Sequence, residues 1–445
     1  MRRIFILMAL SAALFSAADE PAGKTGNADH RVITHKPLGF FKAVACDGKV
    51  KLTFCKTGRF FKKAEYDDLY KNIVIYRKKT DFVAFKDFAE FFDGMTCSDE
   101  DIIYSGPIEL ECERGFTYLD DTVSVGSTYA YWVGTAGSEP TGPYPVKVRD
   151  PRIWWSPETV SQEIQNLKEA YPSLVQVSVV GKTVEGRSIF GLEVGNARKK
   201  VALIGTIHAS ESGPELILPV IRNLLEHHRE IFEDVSVVAI PCVNLDEKKR
   251  VADGVPWYLR RNAISVDLNR NFPGNWEEVI HFYNSSSADP GSVIYRGAGP
   301  ASEPETQAVM AFIRTHHPEV VLSFHHVASV AGKLLLAPEV AAEGEEAKQK
   351  FQRIFDTYVE GYCAGFPDEK PNGVLAGNLL RFEAPKSGSL GVWCYTELGI
   401  PAFDIEGEKN AILKKSLTED TDMELLSRNQ QQHAAALLNL LQSMK

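Results

Sequence analysis

At 445 residues, with 44% hydrophobic and 24% charged side chains, the chain is globular in composition and long enough for two or three domains, which excludes intrinsic disorder. A net charge of −10 and the lack of any long lysine or arginine run exclude nucleic acid as a partner, since phosphate recognition needs a clustered basic surface. No stretch reaches the roughly 18 apolar residues of a membrane span, so the mature chain is expected to have no transmembrane segment.

Met1-Arg2-Arg3, the apolar Ile4 to Phe15 and the small Ser16-Ala17-Ala18 read as a secretory signal (residues 1–18) cleaved after Ala18, which predicts a secreted or periplasmic protein. Residues 19–35 are polar and read as a flexible lead. Between 36 and 150, Lys49 to Phe54, Asn72 to Arg77 and Thr128 to Val133 alternate in polarity between Gly, Pro and Asp turns, which predicts a small antiparallel β-sandwich. Seven cysteines suit an oxidising compartment, and Cys46, Cys55, Cys97 and Cys112 could form two bridges in any of three pairings. No C-x-x-C spacing occurs, so a cysteine-based zinc or redox site is not expected; Cys242, after the apolar Val235 to Ile240, reads as a buried core thiol.

Asp150-Pro151-Arg152 reads as a linker, and Ser156-Pro157-Glu158 opens a helix with an N-cap, a proline and an acidic first turn. From 152 to 445, strand-like and amphipathic helical runs alternate, the pattern of an α/β fold. A helix at 214–229 should bury Leu216, Ile217, Val220, Ile221, Leu224 and Leu225 and kink at Pro219, and a last helix is expected at 421–442.

The chemistry sits at the ends of predicted strands. Val201 to Ile207 leads into His208 and Glu211, an H-x-x-E pair at the edge where open α/β sheets bind ligands. Such a pair can close on one Zn²⁺ if a third ligand arrives from elsewhere and water keeps the fourth position; it also occurs in ordinary polar loops. Val320 to His325 and Pro401 to Glu406 are two further apolar runs ending in a histidine and a glutamate. His325 and His326 are adjacent, and neighbouring side chains of an extended strand face opposite ways, so only one of them can point inward. Asp404, Glu406 and Glu408 alternate onto one face, and the residue pattern does not choose among them.

Taken in order, His208-x-x-Glu211, Arg260, Asp267-Leu268-Asn269-Arg270-Asn271, His325 and Glu406 resemble the zinc metallocarboxypeptidase family, carboxypeptidase A-like. Gly181-Lys182-Thr183-Val184-Glu185-Gly186-Arg187 and Ser302-Glu303-Pro304-Glu305-Thr306 extend the resemblance, which covers roughly residues 155 to 445. It implies a mixed-sheet carboxypeptidase domain (152–445) holding one Zn²⁺ per chain through His208, Glu211 and His325, with His326 outside the site. Asp267 is implied to fix the tautomer of a zinc ligand, and Glu406 to act as the general base. Arg260, with Arg261 as its rival, is implied to stabilise the oxyanion; Asn269 and Arg270 to bind the substrate's terminal carboxylate; and Arg187 to line the cleft. The sequence departs from the digestive members at a mobile loop: Arg381 to Ser389 contains no tyrosine, leaving Lys386 or Arg381 as substitutes. Leu390-Gly391-Val392-Trp393, which would line the specificity pocket, has no acidic residue, so a strict preference for a basic terminal residue is unsupported.

Asp121 to Tyr131 resembles the fibronectin type III pattern, in which a tyrosine near the start of a late strand packs at the sandwich corner; the length of 36–150 implies an insertion, placed at Asp81 to Asp101. The function implied is an exported zinc exopeptidase that removes C-terminal residues from peptides. The alternative is a peptidoglycan stem-peptide (γ-glutamyl or diaminopimelate) carboxypeptidase acting on muropeptides. A catalytically silent binding protein would lack a ligand or the base, and none is missing; a deacylase of small acylated amino acids is disfavoured by the Asp267 to Asn271 segment. Every catalytic candidate lies at or after Arg187, so residues 1–150 are expected to be dispensable for the chemistry.

Overall fold

The computed structural model describes residues 38–56, 71–81, 91–92, 94–109, 115–277, 286–325, 335–338, 341, 343–364, 380–384, 387–406 and 423–445. The expected signal sequence and lead, Cys112, His326, Lys386 and Glu408 lie outside these residues, as do 82–90 and 93 of the expected insertion.

Alternation in the first third builds β1 (Leu38–Cys46), β2 (Lys49–Lys56), β3 (Ile73–Thr80), β4 (Ile102–Gly106), β5 (Gly115–Asp120), β6 (Thr128–Thr135) and β7 (Thr141–Lys147). They pair antiparallel in two sheets, β1-β2-β5 and β4-β3-β6-β7. Every second residue faces inward, so Val50, Leu52 and Phe54 of one sheet meet Ile73, Ile75, Tyr131 and Val133 of the other in one core. Trp132 and Ala130, on the outer face of β6, are covered by Phe92. The Tyr129 hydroxyl accepts a hydrogen bond from the Ser124 N–H at 2.9 Å, tying the start of β6 back to the preceding loop.

Cys46 and Cys97 carry free thiols, so the four N-terminal cysteines do not form two bridges together; Cys112 lies outside the described residues. Cys46 closes β1 in the three-stranded sheet, whereas Cys97 packs beside Trp132 on the outer face of the other sheet. Asp120 is the polar hub of the sandwich, accepting from Tyr131 Oη and Arg77 Nη1, both at 2.8 Å, and from Thr122. Burial pushes its carboxyl up, but these donors outweigh burial and hold it below the usual carboxylate range. Asp120→Asn is therefore expected to destabilise the chain by about 2 kcal/mol at neutral pH. A carboxyl with a lowered folded pKa stabilises above its unfolded value and loses that contribution as pH falls, so the deficit should shrink toward about pH 3.5. Denaturant titrations at the two pH values check this; an equal deficit at both would contradict it.

In the larger part, Ser156 caps α1 (Pro157–Ala170) by accepting from the Thr159 N–H, with Pro157 in the first turn, as its sequence predicts. Then follow β8 (Val175–Lys182), β9 (Ser188–Val194), β10 (Lys199–Gly205), α2 (Pro214–His227), β11 (Val235–Ile240), α3 (Leu245–Ala252), α4 (Pro304–His316) and β12 (Val320–Phe324). The chain continues with β13 (Leu335–Pro338), α5 (Glu345–Ala364), β14 (Leu380–Ala384), α6 (Leu390–Leu398), β15 (Ala402–Ile405) and α7 (Met423–Ser443). The eight strands form one mixed sheet in the order β14-β13-β15-β12-β10-β11-β9-β8. Its middle, β11, β10, β12 and β15, is parallel and buried on both faces, which is why those runs are mostly apolar rather than strictly alternating. The stripe from Leu216 to Leu225 is buried on α2, and the helix continues through Pro219 as one element. No helix among the described residues is long and apolar enough to cross a membrane.

Candidate active site

Strand register decides which side chains meet. Gly205 of β10 lies opposite Phe324 of β12, and Phe324 lies opposite Ile405 of β15, so three parallel neighbours stop at the same edge. The residues just beyond them, His208 with Glu211, His325 and Glu406, emerge there together, as the three apolar runs imply. The His325 N–H donates to Ile405 O at 2.8 Å, so β12 and β15 remain paired up to the site.

His208, Glu211 and His325 converge, all buried, with ligand atoms within 4.8 Å of one another. His208 Nδ1 lies 2.9 Å from Glu211 Oε1, His325 Nδ1 lies 2.9 Å from Glu211 Oε2, and the two Nδ1 atoms are 3.3 Å apart. Each ring is gripped from behind. His208 Nε2 is 3.1 Å from Asp267 Oδ1; His325 Nε2 is 3.1 Å from Ser323 Oγ and 3.5 Å from Asp404 Oδ1. Acceptors there place the ring protons on the outer nitrogens and turn both Nδ1 lone pairs into the gap. Two facing lone pairs beside a carboxylate repel unless a proton or a cation lies among them. Two imidazole nitrogens and a carboxylate oxygen suit Zn²⁺, so the residues fit the metal that the sequence implies.

The electrostatics point the same way. Burial pushes the Glu211 carboxyl up, but the His208 and His325 imidazoles outweigh it and hold it at about 2. Burial works against the Arg260 cation, and Asp267 beside it more than restores it; Asp267 in turn is held below the carboxylate range by Arg260, Arg270 and His208 in spite of burial. The Arg260 Nε donates to Asp267 Oδ2 at 2.7 Å, so Asp267 bridges a candidate ligand and the candidate oxyanion arginine.

The other expected residues sit in different surroundings. Glu406 is buried directly after β15, while Asp404 is turned behind His325 and so faces away from the Nδ1 gap. Asn269 is committed: its Oδ1 accepts from the Leu390 N–H at 3.0 Å and its Nδ2 donates to Asp404 Oδ2 at 3.4 Å. Arg270 is buried, donates from Nη1 to Asn269 O at 2.8 Å, and is pulled down to about 10 by that burial. Arg187 joins Glu185 and Asp246 through Nη1, at 2.5 and 2.6 Å, with 34% of its side chain exposed. Arg261 bonds the carbonyls of Pro290 and Ser292, away from Asp267. The segment expected to line a specificity pocket, Leu390 to Trp393, is the buried first turn of α6.

Two participants are missing from the sequence reading. The Tyr258 hydroxyl donates to Glu211 Oε1; burial and that carboxylate push the phenol well up, so it remains a donor. Lys248 is fully buried, with Nζ 2.7 Å from Glu215 Oε1 and 3.4 Å from the Glu211 carbonyl oxygen. Tyr258 lies two residues before Arg260, a placement that could have marked it; nothing in the pattern around Lys248 does.

The comparisons agree with this geometry. A profile of the zinc carboxypeptidase family matches residues 160–426. Carboxypeptidase B of Rattus norvegicus is 30% identical over 181 residues, 36% of this chain and 41% of that protein. Murein peptide amidase A of Escherichia coli K12 is 32% identical over 154 residues, 32% of this chain and 57% of that protein. The chain thus spans 41% and 57% of the lengths of these two curated relatives. Among solved structures, carboxypeptidase A from Helicoverpa armigera shares the fold with a TM-score of 0.54 at 16% identity, covering 84% of this chain and 98% of that one. Bovine thrombin-activatable fibrinolysis inhibitor does so with a TM-score of 0.53 at 18% identity, covering 66% of this chain and 98% of that one. With three zinc-suited ligands at one sheet edge inside the matched region, the chain belongs to the zinc carboxypeptidase family.

Proposed function

We propose that the protein is an exported zinc carboxypeptidase that removes C-terminal residues from peptides. The observation that carries this reading is the convergence of His208, Glu211 and His325 beside Glu406 at the edge of the parallel strands. His208, Glu211 and His325 hold the zinc, and Asp267 orients His208. When bound, zinc supplies Lewis acidity, acidifying water and polarising a carbonyl. Glu406 takes the proton from the attacking water as the oxygen bonds to the scissile carbonyl carbon. It then passes that proton to the amine nitrogen as the C–N bond breaks. Arg260 faces the charge that develops on the carbonyl oxygen, and Arg270 attracts the substrate's terminal carboxylate. Asn269 supports Arg270 and α6 through its present bonds, and the exposed part of Arg187 borders the cleft. Export rests on the basic and apolar opening of the sequence, and the sandwich is read as fibronectin type III-like from its three-plus-four strand order and Tyr129.

Similarity to a murein peptide amidase supports a second reading, cleavage of peptidoglycan stem peptides by the same residues. A panel separates the two. Release of the terminal amino acid from ordinary peptides, and none from their C-terminal amides, is the expected result. Cleavage confined to stem peptides would favour the second reading, and internal cleavage of amidated peptides would overturn both. Within either, Arg260→Ala should lower kcat by about 10²–10³-fold with a smaller change in KM. A pure rise in KM would move Arg260 from the transition state to ground-state binding.

A further inference from the structure

The segment that carries Tyr258 and Arg260 is held at its other end by the N-terminal sandwich. The Ala45 N–H of β1 donates to Asp253 O and the Lys147 N–H of β7 to Gly254 O, both at 2.7 Å. Arg149 Nη1 donates to Val251 O at 2.8 Å, and Lys42 Nζ lies 3.7 Å from the Asp253 carboxylate. Gly254 adopts φ +101°, and a Cβ there would lie 2.6 Å from Val146 Cγ2, 2.8 Å from Lys147 O and 3.0 Å from Ala45 Cβ. Only glycine permits so close an approach in that conformation.

Four residues later the Tyr258 hydroxyl meets Glu211, and six residues later Arg260 meets Asp267. Between them Leu259 is laced to the ligand loop by two bonds: its N–H donates to Ser210 Oγ at 2.7 Å, and its carbonyl accepts from the Ser210 N–H at 3.1 Å. A second strut reaches the same loop. Arg149 and Lys248 lie over the Trp154 ring, at 5.3 and 5.4 Å from its centroid, and Lys248 bonds the Glu211 carbonyl. The Trp155 N–H donates to Glu215 Oε1 at 3.0 Å, the carboxylate that pairs with Lys248.

We propose that the N-terminal sandwich is a positioning element for the active site, with Gly254 the residue through which its β1 and β7 edge sets Tyr258 and Arg260 against the metal ligands. This rests on the roles given above to Glu211 and Arg260, and it reverses the expectation that residues 1–150 are dispensable. Arg260 acts on charge that appears only in the transition state, so a displaced segment lowers kcat more than it raises KM.

The test compares full-length variants for zinc per chain, thermal unfolding, and kcat and KM on a small peptide. Gly254→Ala drives a methyl group into the junction; Gly126→Ala is the matched control, since Gly126 has φ +86° and nothing within 4 Å of its Cβ position. Both carry the left-handed backbone strain of about 1–2 kcal/mol, but only the first pushes the sandwich from the segment. Gly254→Ala should keep its zinc and lose about 10- to 100-fold in kcat, with KM changed less and Gly126→Ala near wild type. Arg149→Met should lower kcat in the same direction, and Arg149→Lys, which keeps a donor for Val251 O, should restore part of it. If Gly254→Ala does not fold, the Arg149 pair decides. Wild-type kcat in both Gly254→Ala and Arg149→Met, or an equal loss in Gly126→Ala, overturns the inference. A wild-type chain that binds no zinc and cleaves nothing overturns the functional reading itself, and this inference with it.

Discussion

Glu406→Gln is expected to bind zinc and peptide as the wild type does and to lose about 10²–10⁴-fold in kcat. Glutamine keeps the shape and hydrogen-bonding reach of the side chain but cannot accept a proton from water or return it to the leaving amine. Glu406 follows β15 directly, beside β12 and its His325, whereas Asp404 of the same strand is turned to His325 Nε2. Asp404→Asn should therefore act through the orientation of His325, weakening zinc retention before it touches the proton transfer. Metal content and single-turnover rates on the two variants separate these effects. A fully zinc-loaded Asp404→Asn that is silent, beside an active Glu406→Gln, would shift the base by two residues along the strand.

His325→Ala is expected to lower zinc affinity by more than the roughly 10- to 100-fold typical of lost outer partners, and to abolish turnover at ordinary zinc levels. The ring supplies one of the three donors that converge among the described residues, and its removal also leaves Glu211 Oε2 without its 2.9 Å partner. Chelator competition followed by elemental analysis measures the change. His326→Ala, changed one residue further on, should retain the metal; loss there with retention in His325→Ala would reverse the assignment of the two histidines.

Much of this site is legible in the sequence because strand ends are. Apolar runs such as Val201 to Ile207 and Val320 to Phe324 read as buried strands of a covered parallel sheet, which places the polar residue that follows each at the edge. The order of motifs then separates Arg260 from Arg261, and the structure turns Arg261 to the carbonyls of Pro290 and Ser292. What the sequence hides is contact between segments that no period marks. Tyr258 reaches Glu211 across 47 residues, and Lys248 looks like an ordinary helix-surface lysine until Glu215 and Trp154 enclose it. No motif marks Gly254, and the approach of Val146 and Lys147 shows why nothing larger fits there. Bridges to Cys46 or Cys97 fail for a related reason: spacing does not show that Cys46 ends a strand of one sheet while Cys97 packs on the outer face of the other.

One zinc is proposed to be held by His208, Glu211 and His325 beside Glu406. Crystals of the full-length protein grown with zinc and measured on both sides of its absorption edge test it most directly. The expected result is one anomalous peak, enclosed by His208 Nδ1, His325 Nδ1 and the Glu211 carboxylate. A peak held by other side chains, or an empty gap between the two imidazoles at saturating zinc, would contradict it.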